Sequence, residues 1–306
     1  MTYFESKFTD KDDFEICLHK WTPSNENEIK GLVFIIHGIA EHMLRYDAFS
    51  KELNEEGFVV YGQDLRGHGK SIKNGKRGHF GKGGWNAVIL NLKQQLEIMK
   101  EEYPEKPIFM FAHSGGGLLA QDFIEQFGDE VKGVILSSTF GKMDMLNILI
   151  LVGKIVGPFV KKDKPAGLFH NLSVGTYKKH YDDMESEHRW ISTIKEVVDT
   201  YERDPLCGFR MTNQYFLDAS IAVKRIWKKE NEEKIPKDLP ILFISTENEP
   251  ISKFNKNLLP VVNRYKKLGI KDIDLKIYKE GRHEILNDLG REQGVRDILA
   301  FFNKHV

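Results

Sequence analysis

Apolar runs of strand length alternate with amphipathic runs of helical length along most of the chain. The continuous apolar runs, which are typical of strands covered on both faces, include LVFIIHG, PIFMFAH, VKGVILSS and LPILFIST. Between them lie stretches with helical spacing that end in glycine, such as YDAFSKELNEEG and GGLLAQDFIEQFG. The first 21 residues alternate with a period of two, which predicts a β-hairpin, and a last helix is expected from about Asp288. This order predicts an α/β fold with a mostly parallel central sheet flanked by helices.

The alternation breaks off between residues 141 and 208, where no comparable buried strand occurs. We interpret residues 141–208 as a helical lid inserted into an α/β core that residues 1–140 and 209–306 form. The lid contains the apolar stretch 143–160, which falls short of the roughly 20 apolar residues of a membrane span. Its helical stripe either simply packs the lid onto the core, or part of it lines an acyl channel or touches lipid. The second interpretation selects as substrate-binding residues Leu146, Leu149, Ile150 and Val152.

Composition excludes several classes of function. The chain has 306 residues with 45 basic and 45 acidic side chains, so its formal net charge is zero and no nucleic-acid partner is expected. Cys17 and Cys207 lie far apart in the sequence, which argues against a disulfide framework and favours a reducing compartment. Because the N-terminal stretch also lacks the apolar core of a signal peptide, we expect a cytoplasmic protein. Neither a Rossmann glycine motif nor metal-ligand spacing occurs, so we expect no cofactor and no metal. We also infer no obligate protein partner.

The stretch FMFAHSGGGLLAQDF places Ser114 between a predicted strand and a predicted helix. At such a turn the nucleophile elbow of serine hydrolases usually has the sequence G-x-S-x-G, because small neighbours avoid collisions with the strained backbone of the serine. Gly116 provides the second small position, whereas Ala112 replaces the first glycine and adds one methyl group. Ser114 is therefore a candidate nucleophile. The alternative is a structural serine in a glycine-rich turn.

A serine nucleophile needs an imidazole base and a carboxylate that orients the imidazole. On an α/β-hydrolase sheet these groups follow in the chain order serine, acid, histidine, each just after a strand. His283 follows the predicted strand IDLKIY and is the candidate base. The acid is expected after the predicted strand PILFIST, where we prefer Glu249 and keep Glu247 as the alternative.

The reaction also needs backbone N–H groups that face the developing oxyanion. One of them normally comes from the loop after the first buried strand, here HGIAEH, and the other from the residue after the nucleophile. The candidate donors are therefore the N–H groups of Ile39 and Gly115. We interpret His37, in the same loop, as a hydrogen-bonded organiser of the loop and not as a base.

Together, five motifs resemble the monoacylglycerol lipase/lysophospholipase branch of the α/β-hydrolase superfamily, which includes serine-aminopeptidase-like members. The motifs are HGIAEH, DLRGHGKS, AHSGGG, ILFISTENEPIS and EGRHEILND. The resemblance implies Ser114 as nucleophile, His283 as base, and Ile39 and Gly115 as oxyanion donors. The acid of the family is usually an aspartate directly before proline and a branched apolar residue, and here Glu249 holds that place.

Three functions from different classes fit these observations. The first is a cofactor-free serine hydrolase that cleaves small-molecule carboxylic esters, of the monoacylglycerol or lysophospholipid type, through an acyl-enzyme. The second is an aminopeptidase or amidase of the same fold, whose pocket would need acidic side chains for the substrate ammonium. The lid offers such side chains at Asp182, Asp183, Glu185 and Glu187. The third is a non-catalytic ligand-binding protein on the α/β-hydrolase fold.

Overall fold

Eight strands form one sheet in the part of the chain that the computed structural model describes. The strands are β1 (Thr2–Thr9), β2 (Glu15–Thr22), β3 (Gly31–Ile36), β4 (Phe58–Gln63), β5 (Ile108–His113), β6 (Gly133–Ser137), β7 (Ile241–Thr246) and β8 (Ile273–Tyr278). The structure describes residues 1–25, 28–141, 150–151, 155, 157–172 and 174–306.

The strands lie across the sheet in the order β1-β2-β4-β3-β5-β6-β7-β8. From β4 to β8 all neighbours are parallel, whereas β1 and β2 form an antiparallel hairpin whose second strand pairs antiparallel with β4. The predicted hairpin and the mostly parallel sheet are therefore confirmed. Because parallel strands end at the same edge of a sheet, the loops that follow them meet along one edge. We call this edge the carboxyl rim, which comprises residues 37–46, 114–117, 138–140, 247–257 and 279–288.

The five inner strands, β3 to β7, bury every residue. Both faces of these strands are covered, which explains why the sequence reads there as continuous apolar runs without alternation. At the two edges of the sheet, β1 and β8 leave most of their residues partly or fully exposed. The sheet is therefore a rigid buried platform at its centre, where the strands that precede the candidate site residues lie.

Helices cover both faces of the sheet. One apolar cluster contains residues of α1 (Asp47–Glu55) and α9 (Arg291–His305) on one face. A larger cluster on the other face contains residues of four helices. These are α2 (Gly84–Glu102), α3 (Gly115–Phe127), α6 (Asn213–Ile226) and α8 (Leu259–Lys267).

The last helix begins at Arg291 and not near Asp288, so the predicted start was wrong by about one turn. Residues 285–287 form a 3-10 turn, and the backbone of Asp288 is extended. The carboxylate of Asp288 accepts hydrogen bonds from the N–H of Arg282 at 2.7 Å and the N–H of Thr193 at 3.0 Å. Asp288 therefore anchors the loop that carries His283. Its carboxylate can reach these N–H groups because the residue lies before the first turn of the helix.

Within segment 141–208 the described residues add no strand to the sheet and contain the helices α4 (Gly167–Leu172) and α5 (Lys195–Arg203). Helix α7 (Lys229–Glu232) follows α6 further along the chain. A third apolar cluster joins the segment to the carboxyl rim through Ile251. Three of the residues selected above, Leu146, Leu149 and Val152, lie outside the described residues. Among the described helices, none combines the length and the apolar character needed to cross a bilayer.

Candidate active site

Ser114 lies at the turn between β5 and α3, as the sequence predicts. Its backbone has φ 54° and ψ −121°, which is a left-handed value of φ that side chains other than glycine seldom adopt. The N–H of Ser114 donates to the carbonyl of Ser137 at 2.9 Å, and the residue is 5% exposed. The backbone thus has the sharp strand-to-helix turn of a nucleophile elbow.

The glycines of the elbow are required by close backbone packing. A β-carbon on Gly116 would lie 2.5 Å from the carbonyl oxygens of both Ile36 and His37, which are backbone atoms that cannot move aside. Helix α3 therefore begins directly against the end of β3. By contrast, Ala112 is fully buried within β5, so the fold accommodates the methyl group that departs from the usual elbow sequence.

His283 and Glu249 form a buried hydrogen-bonded pair. Nδ1 of His283 lies 2.8 Å from Oε2 of Glu249, and the two side chains are 3% and 0% exposed. The other carboxylate oxygen of Glu249 accepts the N–H of Ile251 at 2.8 Å, which fixes the carboxylate in the loop after β7. Glu247 is exposed, and its backbone N–H pairs with the carbonyl of Tyr278. The structure therefore brings Glu249, and not Glu247, to the imidazole.

The surroundings of His283 favour its protonated form more than water does, so its pKa is raised. Burial alone would disfavour the imidazolium, yet the charge and hydrogen bond of Glu249, followed by the charges of Glu284 and Glu41, hold the pKa of His283 above its usual value. The ring of His113 lies 4.7 Å from that of His283. Burial and the neighbouring imidazole lower the pKa of His113 to about 4, so His113 is neutral and adds no competing charge.

Hydroxyl groups at the ends of neighbouring strands anchor the loop that carries His283. Ser138, just after β6, donates its hydroxyl to the carbonyl of His283 at 2.6 Å. Thr246, at the end of β7, donates to the carbonyl of Arg282 at 2.9 Å. The backbone of Ser138 also has a left-handed φ of 46°. Neither anchor was predicted from the sequence, although each hydroxyl directly ends a predicted buried strand.

The loop after β3 lies against the elbow. A β-carbon on Gly115 would stand 3.6 Å from the backbone nitrogen of Ile39, and one on Gly38 would stand 3.2 Å from Cβ of Ser114. The two candidate oxyanion donors are therefore neighbours beside Ser114. Because Gly115 is the first residue of α3, its N–H also lies at the positive end of a helix dipole.

His37 organises this loop from inside the protein. Its Nδ1 lies 2.7 Å from the carbonyl oxygen of Gly38, while the N–H of Leu65 donates to Nε2 at 3.0 Å. These partners require a neutral ring with its proton on Nδ1, and burial lowers the pKa of His37 accordingly. Both ring nitrogens are occupied by backbone groups, in agreement with the interpretation of His37 as an organiser.

Sequence reasoning also missed a buried ionic cluster that adjoins the site. Arg45 contacts the carboxylates of Glu41 and Glu284, and Glu41 accepts the N–H of Gly38. Although burial opposes the charge of Glu41, the charge of Arg45 and the hydrogen bond from the N–H of Gly38 lower the pKa of this carboxyl to about 2. Glu41 and Arg45 are four residues apart, but no local sequence pattern indicates the cluster because Glu284 comes from a loop 239 residues further along the chain.

The cavity beside Ser114 and His283 is mostly apolar. Its wall includes Leu118, Phe140, Met211, Tyr215, Phe216 and Val223. Ile150, the described member of the predicted lid stripe, is half-buried against the larger apolar cluster. Two groups of described residues could offer three ligand atoms to a metal ion, and neither includes Ser114, Glu249 or His283.

The acidic side chains proposed for an aminopeptidase pocket lie elsewhere. Asp182, Asp183, Glu185 and Glu187 are all exposed, and none of these four described residues contributes to the cavity wall. Asp183 pairs with Arg282, and Glu187 pairs with a surface lysine. The acids that do reach the cavity, Glu41 and Glu284, both contact Arg45.

Comparison with known proteins places this geometry in a family. The family model of the serine aminopeptidases, S33, matches residues 27–290. The chain is 24% identical to a monoacylglycerol lipase of Mycolicibacterium smegmatis, over 100% of this chain and 99% of that protein. It is 33% identical to a monoglyceride lipase homolog of Monkeypox virus, over 78% of this chain and 77% of that protein.

Solved structures agree with the sequence comparison. The crystal structure of a highly thermostable carboxyl esterase from Bacillus coagulans, in complex with glycerol, superposes with a TM-score of 0.92 and 26% identity. The match covers 100% of this chain and 99% of that chain. With the family model matching most of its length, the chain belongs to the serine aminopeptidase S33 family of the α/β-hydrolases, in the branch that resembles monoglyceride lipases.

Proposed function

We propose that this protein is a serine ester hydrolase that cleaves monoacylglycerols, lysophospholipids or similar monoacyl esters through an acyl-enzyme on Ser114. The single observation that carries the proposal is the buried pair of His283 and Glu249, at 2.8 Å, beside an elbow serine that opens onto an apolar cavity. A solely structural serine would need neither an oriented imidazole nor an apolar cavity in front of it.

In the proposed reaction, Oγ of Ser114 attacks the ester carbonyl carbon, and Nε2 of His283 takes the hydroxyl proton. The carboxylate of Glu249 accepts a hydrogen bond from Nδ1–H of His283, which holds the reactive tautomer and stabilises the imidazolium as it forms. The N–H groups of Ile39 and Gly115 donate to the oxyanion. The imidazolium returns its proton to the leaving alcohol. Water then attacks the acyl-enzyme by the same route, and the fatty acid leaves.

The apolar cavity supports a long acyl chain as the part of the substrate that provides binding energy. Each buried CH₂ contributes about 0.8 kcal/mol, which corresponds to an approximately fourfold rise in kcat/KM per methylene until the cavity is full. Ala219→Trp should shorten the cavity and move the optimum to shorter p-nitrophenyl esters, because Ala219 faces the cavity from α6. Ile221→Trp is the matched control on the same helix, since Ile221 is 69% exposed.

We propose that segment 141–208 is the lid over this cavity and that Leu146, Leu149, Ile150 and Val152 line its acyl channel. The packing of Trp190 and Ile191 against Ile251 of the carboxyl rim supports such a cover. Leu149→Asp and Val152→Asp should flatten the dependence of kcat/KM on chain length while sparing acetate and butyrate esters. The channel is refuted if both folded variants keep the wild-type chain-length profile.

Lipid contact through the lid is a further part of the proposal. The described residues there expose large apolar side chains, with Ile155 61% and Phe159 87% exposed, next to the exposed lysines Lys161 and Lys162. Such a surface suits transient binding to a bilayer interface. Phe159→Asp should weaken co-sedimentation with phospholipid vesicles, whereas Val306→Asp, at an exposed apolar residue of the C-terminus, should not.

The ester assignment can be tested against the two alternatives in one comparison. A fluorophosphonate probe should label Ser114, and a non-catalytic binding protein would remain unlabelled. A paired panel of p-nitrophenyl esters and aminoacyl-anilides then separates an esterase from an aminopeptidase. We expect ester hydrolysis to dominate, because the two carboxylates at the cavity wall, Glu41 and Glu284, are both already engaged by Arg45. Faster cleavage of the anilides would reverse the assignment.

We also infer a cytoplasmic location. Both thiols are free and buried, which suits a reducing compartment. Fractionation of cells that produce the untagged protein tests the inference, and recovery in the secreted fraction would contradict it.

A further inference from the structure

Arg45, Glu41 and Glu284 form a buried ionic cluster at the carboxyl rim, which we call the Arg45 clamp. Nη1 of Arg45 donates to Oε2 of Glu41 at 2.7 Å and to Oε1 of Glu284 at 2.7 Å. Nη2 donates to Oε2 of Glu284 at 2.5 Å, which completes a two-pronged contact. The side chains of Arg45, Glu41 and Glu284 are 12%, 4% and 6% exposed. One guanidinium therefore binds two buried carboxylates. Removing these charges from water costs free energy, which only well-formed hydrogen bonds between them can offset.

Each carboxylate of the clamp reaches a different part of the proposed machinery. Oε1 of Glu41 accepts the N–H of Gly38 at 2.5 Å, directly before the oxyanion donor Ile39. Glu284 directly follows His283 in the chain. Through its two carboxylates, Arg45 therefore joins the loop of the oxyanion donor to the loop of the base.

A third contact extends the clamp to segment 141–208. The guanidinium of Arg45 lies 4.8 Å from the ring centre of Tyr201, whose hydroxyl donates to the carbonyl of Ala40 at 2.9 Å. The N–H of Gly208 donates to the same carbonyl, also at 2.9 Å. Ala40 has a left-handed φ of 55°, a conformation that a residue with a β-carbon keeps only when its surroundings hold it. The loop that carries Ile39 is thus held by hydrogen bonds at the residue before it, Gly38, and at the residue after it, Ala40.

We propose that Arg45 is a positioning residue, which sets the Ile39 N–H group and the His283 ring relative to each other through Glu41 and Glu284. Arg45 contacts neither the substrate nor the reacting atoms in this proposal. The inference rests on the proposed function, because the relative placement of Ile39 and His283 matters only if both act on one carbonyl. A lysine would keep the charge of Arg45 but lose the planar fork that reaches two carboxylates at once.

Two substitutions at this clamp separate the effect of charge on the pKa of His283 from the effect of geometry on catalysis. The titratable groups whose charges act on His283 are Glu249, Glu284 and Glu41, whereas the adjacent His113 is neutral. Glu284→Gln removes one negative charge that raises the pKa of His283, so it should lower that pKa. Arg45→Lys preserves the net charge and should leave the pKa near its wild-type value while loosening the geometry.

The experiment compares Arg45→Lys and Glu284→Gln with wild type, and uses Arg264→Lys as the matched control. Arg264 lies on α8, away from the candidate site. Its guanidinium donates two hydrogen bonds to the carboxylate of Glu232, whose side chain is 2% exposed. Arg45→Lys should lower kcat for p-nitrophenyl butyrate about 10- to 100-fold, with KM within about threefold, because misplaced groups lose transition-state stabilisation. Glu284→Gln should move the acidic limb of the pH–rate profile to lower pH. Arg264→Lys should change neither quantity.

NMR spectroscopy makes the outcome independent of turnover. In Arg45→Lys the backbone amide signals of Ile39 and the ring signals of His283 should shift together, and in Arg264→Lys they should stay. Wild-type protein that neither hydrolyses esters nor reacts with the fluorophosphonate would refute the proposed function, whereas the NMR shifts would still report on the clamp. The clamp itself is refuted if Arg45→Lys leaves kcat within twofold of wild type, or leaves the Ile39 signals in place.

Discussion

The carboxyl rim and segment 141–208 face each other across the cavity, yet they are built in opposite ways. At the rim, polar side chains are buried and hydrogen-bonded to backbone groups of the same loop or of a neighbouring loop. Examples are Glu41, Ser138, Thr246, Glu249 and Asp288. In the segment, the polar side chains pair mainly at the surface, as in Lys195 with Asp199, whose side chains are 71% and 32% exposed.

Of these two regions, the segment has the most exposed apolar residues, although it also buries Trp190, Ile191 and Val198. On the rim side of the site, Ile251 and Ile285 are buried. In the described part of the segment, Leu151, Ile155 and Phe159 expose more than half of their side-chain area. Buried hydrogen bonds restrict motion, whereas exposed apolar groups and surface ion pairs do so only weakly.

The two regions therefore divide the tasks of the proposed enzyme between them. Acyl transfer requires donors and a base that already have the geometry of the transition state, because reorganisation during the reaction would cost rate. Binding a long flexible chain requires apolar area more than exact placement. The predictions below test this division, since damage at the rim should affect catalysis far more than damage in the segment.

Removal of the nucleophile should have the largest effect. Ser114→Ala should lower ester hydrolysis by about three to six orders of magnitude while the protein stays folded, because the hydroxyl contributes only to the chemistry. Mass spectrometry of the fluorophosphonate-treated protein checks the site. Labelling of another serine, with Ser114 unmodified, would move the catalytic centre elsewhere.

The two glutamates of the loop after β7 should differ by orders of magnitude. Glu249→Gln should lower kcat about 10³- to 10⁴-fold, because the neutral amide no longer stabilises the imidazolium and favours the wrong tautomer. Glu247→Gln should change kcat less than about threefold, since Glu247 is exposed. Steady-state kinetics of both variants decide the assignment, and the reverse ranking would give the role to Glu247.

The packing of the elbow should be sensitive to a single methyl group. Gly116→Ala should lower the free energy of unfolding by about 1–3 kcal/mol, because the new β-carbon would press on the carbonyls of Ile36 and His37. Gly167→Ala is the matched control, since a β-carbon there would meet nothing within 4 Å. Urea unfolding of both variants measures the difference, and equal stabilities would contradict the close approach of α3 to β3.

The pH dependence of activity should report on His283. The reaction needs the neutral imidazole, and the raised pKa of His283 keeps the ring protonated to a higher pH than usual. Activity should therefore be lost as pH falls, with a midpoint above about 6.5, the value of an unperturbed histidine. A pH-stat assay measures kcat/KM across this range. A midpoint below the unperturbed value would show that Glu249 does not act on the base as described.

The smallest effect is expected at a surface ion pair of the segment. Lys195→Ala should change the free energy of unfolding by no more than about 0.5 kcal/mol, because the pair with Asp199 is exposed on α5. It should leave kcat for short esters unchanged. Thermal unfolding and a butyrate ester assay test this together, and a large loss of kcat would break the proposed division between rim and segment.

Much of the site could be predicted because its residues directly follow buried strands. A parallel sheet brings the ends of such strands together, so the order of Ser114, Glu249 and His283 in the chain was enough to indicate their meeting. The preference for Glu249 over Glu247 agrees with the pairing seen in the structure. The fold was predictable for the same reason, since fully buried strands leave a continuous apolar signal.

What the sequence could not predict depends on contacts between loops. Arg45 has no periodic or spacing relation to Glu284, and the anchor from Ser138 to His283 joins residues that are 145 apart in the chain. The late start of α9 has a related cause, because Asp288 uses its carboxylate for the backbone of Arg282 and Thr193 instead of joining a helix. Such roles follow from tertiary structure and leave no local pattern.

The span of the Arg45 clamp has a consequence for how the protein refolds. Arg45 and Glu284 are 239 residues apart, and closing a loop of that length costs about 5 kcal/mol of chain entropy. We therefore expect the contact to form after the intervening strands have paired, because their pairing shortens the loop that remains to be closed. During refolding from urea, the far-UV circular dichroism signal should recover first and ester hydrolysis last. The return of activity would then mark the point at which the whole chain has reached its native fold.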